Sequence, residues 1–423
     1  MNPNTLSVER LREAARGLPH ESLAATREAA LANIDETGLP TVRDEDWKYT
    51  DLSRAFNISN QWLDSQRAAH ISDTLSAQIS ALTSSIDAHW LVIANGQIDL
   101  TEVQGVDAAT VELFSDSGAP FVLDRPLADL NAALLSDGVR IRLSGTPDKA
   151  IGLLVIDETT GSVGVTQANI ELTVDAECEV EIIEYQVSSG TADHYCNSIV
   201  SLNICDAATA RYVRLQNRKV GHVQTGRLSV ALGKRSRLDM LSVDLGGGLI
   251  RNDVDIDIAN PESSATFNGL YLTGDDQHID NHTRVDHRVG PAVSAQEYRG
   301  ILTGNSRAIW NGKAVVHKGA DGTDATQANH NLLLSERAEI NPKPELEIYA
   351  EDVKCAHGTT VGQLDETALF YLRTRGLDHD QAKTLLVHAF AVDLISKSPV
   401  AAMAQHITDV VQARLAQLIG GES

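Results

Sequence analysis

The chain has 423 residues, 42% of them hydrophobic but only 4% aromatic, so Val, Leu, Ile and Ala must fill its core. A net charge of −23, from 58 acids against 35 bases, sets the surface against phosphate backbones and anionic lipid, and neither nucleic acid nor membrane is expected as a partner. The length exceeds what one core usually serves, no run of about 18 apolar residues is present to cross a membrane, and four scattered cysteines without a CxxC exclude a disulfide framework or a self-contained zinc or cluster site.

The opening MNPNTLSVERLREAARG carries charges where a secretion signal needs an apolar run, so a cytoplasmic location is expected. The first ~80 residues read as helical, with Leu23, Leu31 and Ile34 at helical spacing and a stop at Gly38 and Pro40. Residues 91–98, LVIANGQI, predict a strand and a hairpin turn at Asn95-Gly96. A short helix over 127–135 and a strand over 139–143 follow.

From residue 165 the pattern becomes apolar–polar alternation, clearest in DVDIDI at 253–258. The strand centres form two interleaved series. One is Leu172, Leu202, Val230, Ile256, Val285, Val315 and Leu346; the other is Ile183, Val213, Leu241, Leu270, Ile301, Leu333 and Val361. Every step in both lies between 26 and 32 residues. Two strands per unit, repeated over and over, predict a flattened parallel β-helix whose coils bury their inward residues by stacking. A large β-sandwich is the competing reading of the same spacing.

After Leu364 the helical period returns. Asp365 is placed as the cap of a short helix bearing Leu369 and Leu372 and closed by Gly376. Asp378 with Gln381 forms a capping-box pattern, opening a helix whose apolar face is read as Ala382, Leu385, Leu386, Ala389 and Phe390. Met403, Ile407, Val410, Val411 and Leu418 mark a last amphipathic helix. The expected fold class is mainly β, a parallel β-helix (solenoid) core flanked by N-terminal and C-terminal α-helical regions. The expected divisions are a helical region over 1–90, a mixed α/β lead-in over 91–164, the β-helix over 165–364 and a helical domain over 365–423.

The sharpest local feature is Lys354-Cys355-Ala356-His357-Gly358, placed in the turn between the last two strand centres, at the end of the solenoid. A thiolate and an imidazole two residues apart are ligand types for iron or zinc. Two ligands do not hold a cluster, so the rest must come from elsewhere in the fold or from another chain. The plain alternative is a solvent-facing His beside a partly buried Cys. His278, His282 and His287 are spaced four and five apart, and the acids between them favour a solvated turn over a metal site. Gly246-Gly247-Gly248 reads as a turn. No GxSxG, P-loop or HExxH occurs, and Cys355 with His357 lacks a third orienting group, so no enzyme is expected. The last coil of a β-helix exposes unpaired backbone, which the C-terminal helices or a partner must cover.

Residues 327–335 (QANHNLLLS), 343–358 (KPELEIYAEDVKCAHG) and 369–376 (LFYLRTRG) resemble the signature blocks of the SufB/SufD family. So do Gln277, His278 and Asp280, Val285 with His287, Trp310 to Lys313, and EDWKYT at 45–50. The resemblance covers most of the chain from residue 40, and its length, its early EDWKYT and the missing CxxC put it on the SufD-like side. It implies an iron–sulfur cluster assembly scaffold, not an enzyme, that pairs with a SufB-like subunit as a heterodimer and docks two copies of the SufC ATPase per complex. A nascent iron–sulfur cluster would be shared transiently at the subunit interface, with none tightly bound to the isolated chain. By position Cys355 and His357 match the family's interface Cys and His. Leu369, Phe370, Tyr371, Arg373, Arg375, Gly376, Leu385, Leu386 and Phe390 match the SufC-contacting region. Ala356 stands where Ser is common, and Gly322 stands where Lys is common before Thr-Asp, so no lysine is named as functional. A homodimer of the isolated chain, flavin binding by the complex, and the choice between Cys355 and His357 as ligand stay open. The rival readings are a partner that only stabilises the SufB-like subunit and, more remotely, a β-helix carbohydrate enzyme, for which no paired catalytic carboxylates are visible.

Overall fold

The computed structural model describes residues 5–65, 71–118 and 125–420; residues 1–4, part of the stretch read above for targeting, lie outside them. Four helices come first: α1 (Val8–Arg16), α2 (Ala24–Thr37), α3 (Ser53–Ser65) and α4 (Asp73–Ser85). The lead-in holds β1 (Ala88–Ala94), β2 (Gln97–Asp99), β3 (Ala109–Leu113), α5 (Phe114–Ser117), α6 (Pro126–Leu134) and β4 (Val139–Leu143). Asn95 and Gly96 take the hairpin between β1 and β2 with φ of 48° and 80°, the left-handed pair that a two-residue turn requires.

The solenoid proper follows. Its strands are β5 (Ala150–Thr159), β6 (Gly164–Val174), β7 (Glu179–Gly190), β8 (His194–Ile204), β9 (Thr209–Asn217), β10 (His222–Leu232), β11 (Arg237–Asp244) and β12 (Leu249–Ile258). It continues with β13 (Ser264–Thr273), β14 (His278–His287), β15 (Val293–Leu302), β16 (Arg307–Val316), β17 (Asp324–Leu333), β18 (Glu339–Ile348) and β19 (Lys354–Gly362). Odd strands β5 to β19 form one sheet, extended by β1 and β2; even strands β4 to β18 form the other, extended by β3. All pairs are parallel except the two outermost at the N-terminal end, β1 with β2 and β3 with β4. The fold is mainly β, with helices at both chain ends.

Corners repeat as strictly as strands. Glu177, Ala207, Arg235 and Glu262 each hold a left-handed φ between 56° and 65° where the chain crosses from the even to the odd sheet. Each uses its amide to bond the next corner: Glu177 to Asp206, Ala207 to Lys234, Arg235 to Pro261 and Glu262 to Pro291. None is glycine, so the stacking bonds must offset a conformation that costs a non-glycine residue about 1 kcal/mol.

The first strand series is the inward face of the even sheet. Leu172, Leu202, Val230, Ile256 and Val285 stand in one register column and join the core between the sheets. Val315 misses that column by one, because Ala314 is the residue opposite Val285. The second series lies elsewhere. Ile183, Val213, Leu241, Leu270 and Ile301 belong to a separate apolar cluster on the outside of the odd sheet, under the C-terminal helices. Those helices are α7 (Glu366–Thr374), α8 (His379–Ile395) and α9 (Ala401–Gly420). The odd sheet is thus apolar on both faces, which period-2 alternation alone does not disclose.

α8 buries Ala382, Val387, Ala391, Leu394 and Ile395; of the face read from sequence only Ala382 is fully covered, Leu386 and Phe390 are half-buried, and Leu385 stays 48% exposed. α9 buries Met403, Ile407, Val411, Leu415 and Leu418. At about 1.5–3 kcal/mol for each large buried side chain, this pair is held to the sheet rather than hinged on it. Arg299 adds a bond to Phe390 O at 2.8 Å and an ion pair to Asp393 at 2.6 Å. On the other side α1, α2, α3 and α6 pack over Tyr195, Val223 and Leu249, the outer face of the even sheet. Among the described residues no helix is long and apolar enough to cross a membrane.

Candidate functional site

The C-terminal helices fold back along the odd sheet and leave the last coil uncovered. β18 and β19 are the free edges of the two sheets, and their residues are mostly exposed or half-buried. Ile348, Tyr349 and Val361 are 42%, 61% and 49% exposed there.

Cys355 and His357 lie within β19, not in a turn as the spacing suggested. Cys355 pairs with Ala325 of β17, and His357 with Gln327. In-register parallel neighbours point the same way, and Gln327 points inward: with its amide turned so that donor meets acceptor, it bonds Gly312 O at 3.1 Å and Gln296 Nε2 at 3.0 Å. Cys355 and His357 therefore sit on the inner face of β19, over the mouth of the solenoid. Burial pushes the Cys355 thiol above its ordinary range, against a backbone hydrogen bond involving Ala325 and with help from the Asp324 carboxylate. At neutral pH the thiol therefore stays protonated. No group of three or more His, Cys, Asp or Glu suited to a metal ion occurs among the described residues, so this pair is short of a ligand set.

The backbone of the two edges differs. Lys354 N bonds Thr323 O at 2.8 Å, so the even-numbered amides of β19 face β17, and those of Cys355, His357, Thr359 and Val361 face outward along the edge. On β18, Glu339 N and Tyr349 N bond Ser306 O and Val316 O, which puts the even-numbered positions on the free edge. Pro342 and Pro344 fall there and offer no donor. β18 is a guarded edge, and β19 is an open one.

The remaining sequence-read residues fall into two groups. Phe370 and Tyr371 are 68% and 56% exposed on α7, and Arg375 stacks on Tyr371, its guanidinium carbon 5.1 Å from the ring. Leu385 extends that surface on α8. Leu369 is buried, Leu386 is half-buried, and Phe390 lies partly buried under Arg299, so these three serve their own fold first. Gly376 ends α7 with φ of 98°. Arg373 occupies the last turn of the same helix, where a cation favours the helix dipole.

The three histidines of 278–287 are on β14, a central strand, and not in a solvated turn. His278 and Asp280 face outward and receive the EDWKYT segment: Thr50 Oγ1 donates to Asp280 Oδ2 at 2.5 Å and lies 3.1 Å from His278 Nε2. Arg251 pairs with Asp280 at 2.7 Å and stacks on Trp47, 4.4 Å from its ring centre. Glu45 reaches Lys343 of β18 at 3.1 Å. This block is a strap across the even sheet. Gly322, at φ of 80°, turns the chain into β17, and its amide bonds Asp352 O.

Comparison with known proteins settles the family. Residues 156–390, more than half of the chain, match the SufBD core domain of the SUF system for FeS cluster assembly. The chain belongs to the SufBD family. Residues 11–99 match the SufBD N-terminal region. The iron–sulfur cluster assembly protein SufD of Escherichia coli is 29% identical over 401 residues, covering 92% of each chain. An iron–sulfur cluster assembly SufBD family protein of Synechocystis is 27% identical over 426 residues, 94% of this chain and 92% of that one. The chloroplastic protein ABCI7 of Arabidopsis thaliana is 25% identical over 93% of this chain and 86% of its own. This is a SufD-like member of the SUF cluster-assembly family, and the SufBD core match begins inside β5 and ends inside α8. Sequence reasoning expected unpaired backbone at the last coil but missed that its free donors lie on β19 and not on β18, and it missed the exposed Ile348 and Tyr349. The two prolines two apart in EINPKPELEI were the available signal, since only an edge strand tolerates them.

Proposed function

We propose that this SufBD-family chain pairs end to end with a SufB-like subunit and supplies one wall of the surface on which a nascent iron–sulfur cluster is built. The observation that carries the reading is the open mouth of the solenoid, where an unpaired strand edge and two metal-ligating side chains coincide. An exposed parallel edge nine residues long is an aggregation hazard unless a partner strand covers it, and β19 presents its free amides for that purpose. Cys355 and His357 face the same covered space. The chain alone falls short of a ligand set, so the partner provides the rest, and the cluster is cargo shared between subunits.

The SufC ATPase docks on α7 and the exposed side of α8, through Phe370, Tyr371, Arg373, Arg375 and Leu385. α7 follows β19 after only three residues, α8 is tied to β15 through Arg299, and Lys397 in the turn after α8 meets Glu297 of β15 at 2.9 Å. Movement of the docked ATPase pair is thereby passed to the strand that bears Cys355 and His357.

The test is co-purification with a SufB-like subunit and SufC, followed by iron and sulfide analysis of the same preparations. His357→Ala is expected to leave assembly intact and lower the iron and sulfide held. Cys355→Ser is expected to do the same or less. Normal iron in both variants and in the double variant would reduce this chain to a supporting partner; loss of assembly in all three would assign the pair a structural role.

A further inference from the structure

The space between the sheets is not uniformly apolar. Parallel register lines up side chains coil over coil, and two adjacent columns inside the odd sheet are polar. One begins Glu184, Arg214, Ser242; the other begins Gln186, Gln216, Asp244. The first continues through Gly269, Tyr298 and Asn329 to Thr359, and the second through Tyr271, Gly300 and Asn331. Gly269 and Gly300 are glycine because a Cβ at either would strike the neighbouring Tyr298 or Tyr271 ring.

Hydrogen bonds join the columns lengthwise. Arg218 pairs with Asp157 at 2.6 Å and bonds Gln224; Gln224 donates to Gln186 at 2.5 Å, and Gln186 to Glu184 at 2.5 Å. Arg214, opposite Glu184, donates to Ser242 at 2.7 Å and stands 3.9 Å from Asp244. Asn252 links Asp244 at 3.1 Å to Asn281 at 2.9 Å. Thr283, two residues along the same inward face, donates to Gln296 at 2.8 Å, and Gln296 meets Gln327 directly beneath His357.

Five buried polar atoms along this network lack protein partners: His194 Nδ1, His222 Nδ1, Gln216 Nε2, Arg218 Nη2 and Asn252 Oδ1. Native folds rarely leave such atoms unbonded, because each costs about 1–3 kcal/mol. These five lie among side chains already joined to each other, which marks them as bridging positions. We propose that the polar strip between the two sheets is a binding site for a file of ordered water, running from the Asp157–Arg218 pair to the coil beneath His357.

A crystal structure of the full chain at about 1.5 Å resolution or better tests this, together with oxygen-17 relaxation measurements that count slowly exchanging internal water. Water density within hydrogen-bond reach of Gln216 Nε2, Arg218 Nη2 and Asn252 Oδ1 is the expected result. Asn252→Leu, which removes one anchor, is expected to lower the count of slowly exchanging water. Density showing these atoms bonded directly to protein groups, with no water between, overturns the proposal, as does an unchanged water count in the variant. If Asn252→Leu fails to fold, the density of the unaltered chain decides alone.

Discussion

At its N-terminal end the solenoid closes its sheets with strands that run the other way. β2, three residues long, covers β1, and β3 covers β4. At its C-terminal end β18 and β19 stop in parallel register, with no reversed strand paired to them among the described residues. The first end shows that this fold has the means to finish its own edges. Leaving the second open is therefore a property of the sequence, and the difference separates an end that covers its own strand edges from an end that leaves them unpaired.

If the closed end owes its strength to the buried ion pair inside its first coils, removing one partner should do the most damage. Arg218→Met leaves Asp157 fully buried without its cation, and a stability loss of about 3–5 kcal/mol is expected in urea unfolding. A wild-type midpoint would show that these coils are held by apolar packing alone.

Acid should weaken the same region next. Burial holds His194 down to about 4, His222 to about 3 and His287 to about 4, with the Arg218 guanidinium adding to the effect on the first two. Their ordinary value is about 6.5, so all three are neutral in the fold. As pH falls below about 6.5 the unfolded chain takes up protons that the fold refuses, and stability drops until the folded values are passed near 4 and 3. Glu184 and Asp244, pushed up by burial, act in the opposite sense, and their two sites offset part of the three histidines' effect. Urea midpoints at pH 7 and pH 5 should fall with pH. His194 and His222 belong to the early coils, whereas β19 has only His357, so a flat profile would place the acid-sensitive groups elsewhere.

Much of this was legible beforehand. Leu172, Leu202, Val230, Ile256 and Val285 gave the repeat correctly because one sheet face is apolar in every coil, and a period near 30 follows from the stacking. The capping box at Asp378 and Gln381 was equally readable, since its two hydrogen bonds are local. What escaped depends on non-local contacts. Ile183 and Val213 look inward by pattern but face the C-terminal helices, because a sheet covered on both sides has no polar side to betray its orientation. Glu184 and Arg214 look solvated by type, but they meet each other inside the solenoid. The left-handed corners at Glu177, Ala207, Arg235 and Glu262 carry no glycine to announce them. At the open end, Cys355 and His357 were visible as residue types, whereas their shared inward face required the register with Gln327.

The open end can be probed one amide at a time. Thr360→Pro removes a donor that faces β17 and should cost the last coil about 1–3 kcal/mol. Thr359→Pro removes a donor on the free edge. Stability of the isolated chain should change by no more than about 1 kcal/mol, while affinity for a SufB-like partner should drop about 2- to 10-fold, one backbone hydrogen bond's worth. Equal loss of partner affinity in the two variants, measured by titration, would mean that strand pairing along β19 is not how the partner binds.

The smallest change in stability, and the sharpest test of the contrast, lies on β18. Its free edge is as long as that of β19, but Pro342 and Pro344 interrupt the row of donors on that side only. If the prolines direct pairing to β19, replacing both with Thr should leave the monomer within about 1 kcal/mol of its original stability, because no ladder bond to β16 is touched. The variant should instead self-associate, since two adjacent open edges at one mouth can template further strands. Sedimentation at matched concentration would show species larger than those of the unaltered chain. An unchanged distribution would mean that shape, and not missing donors, keeps β18 single, and the two edges would then differ only in the side chains they present.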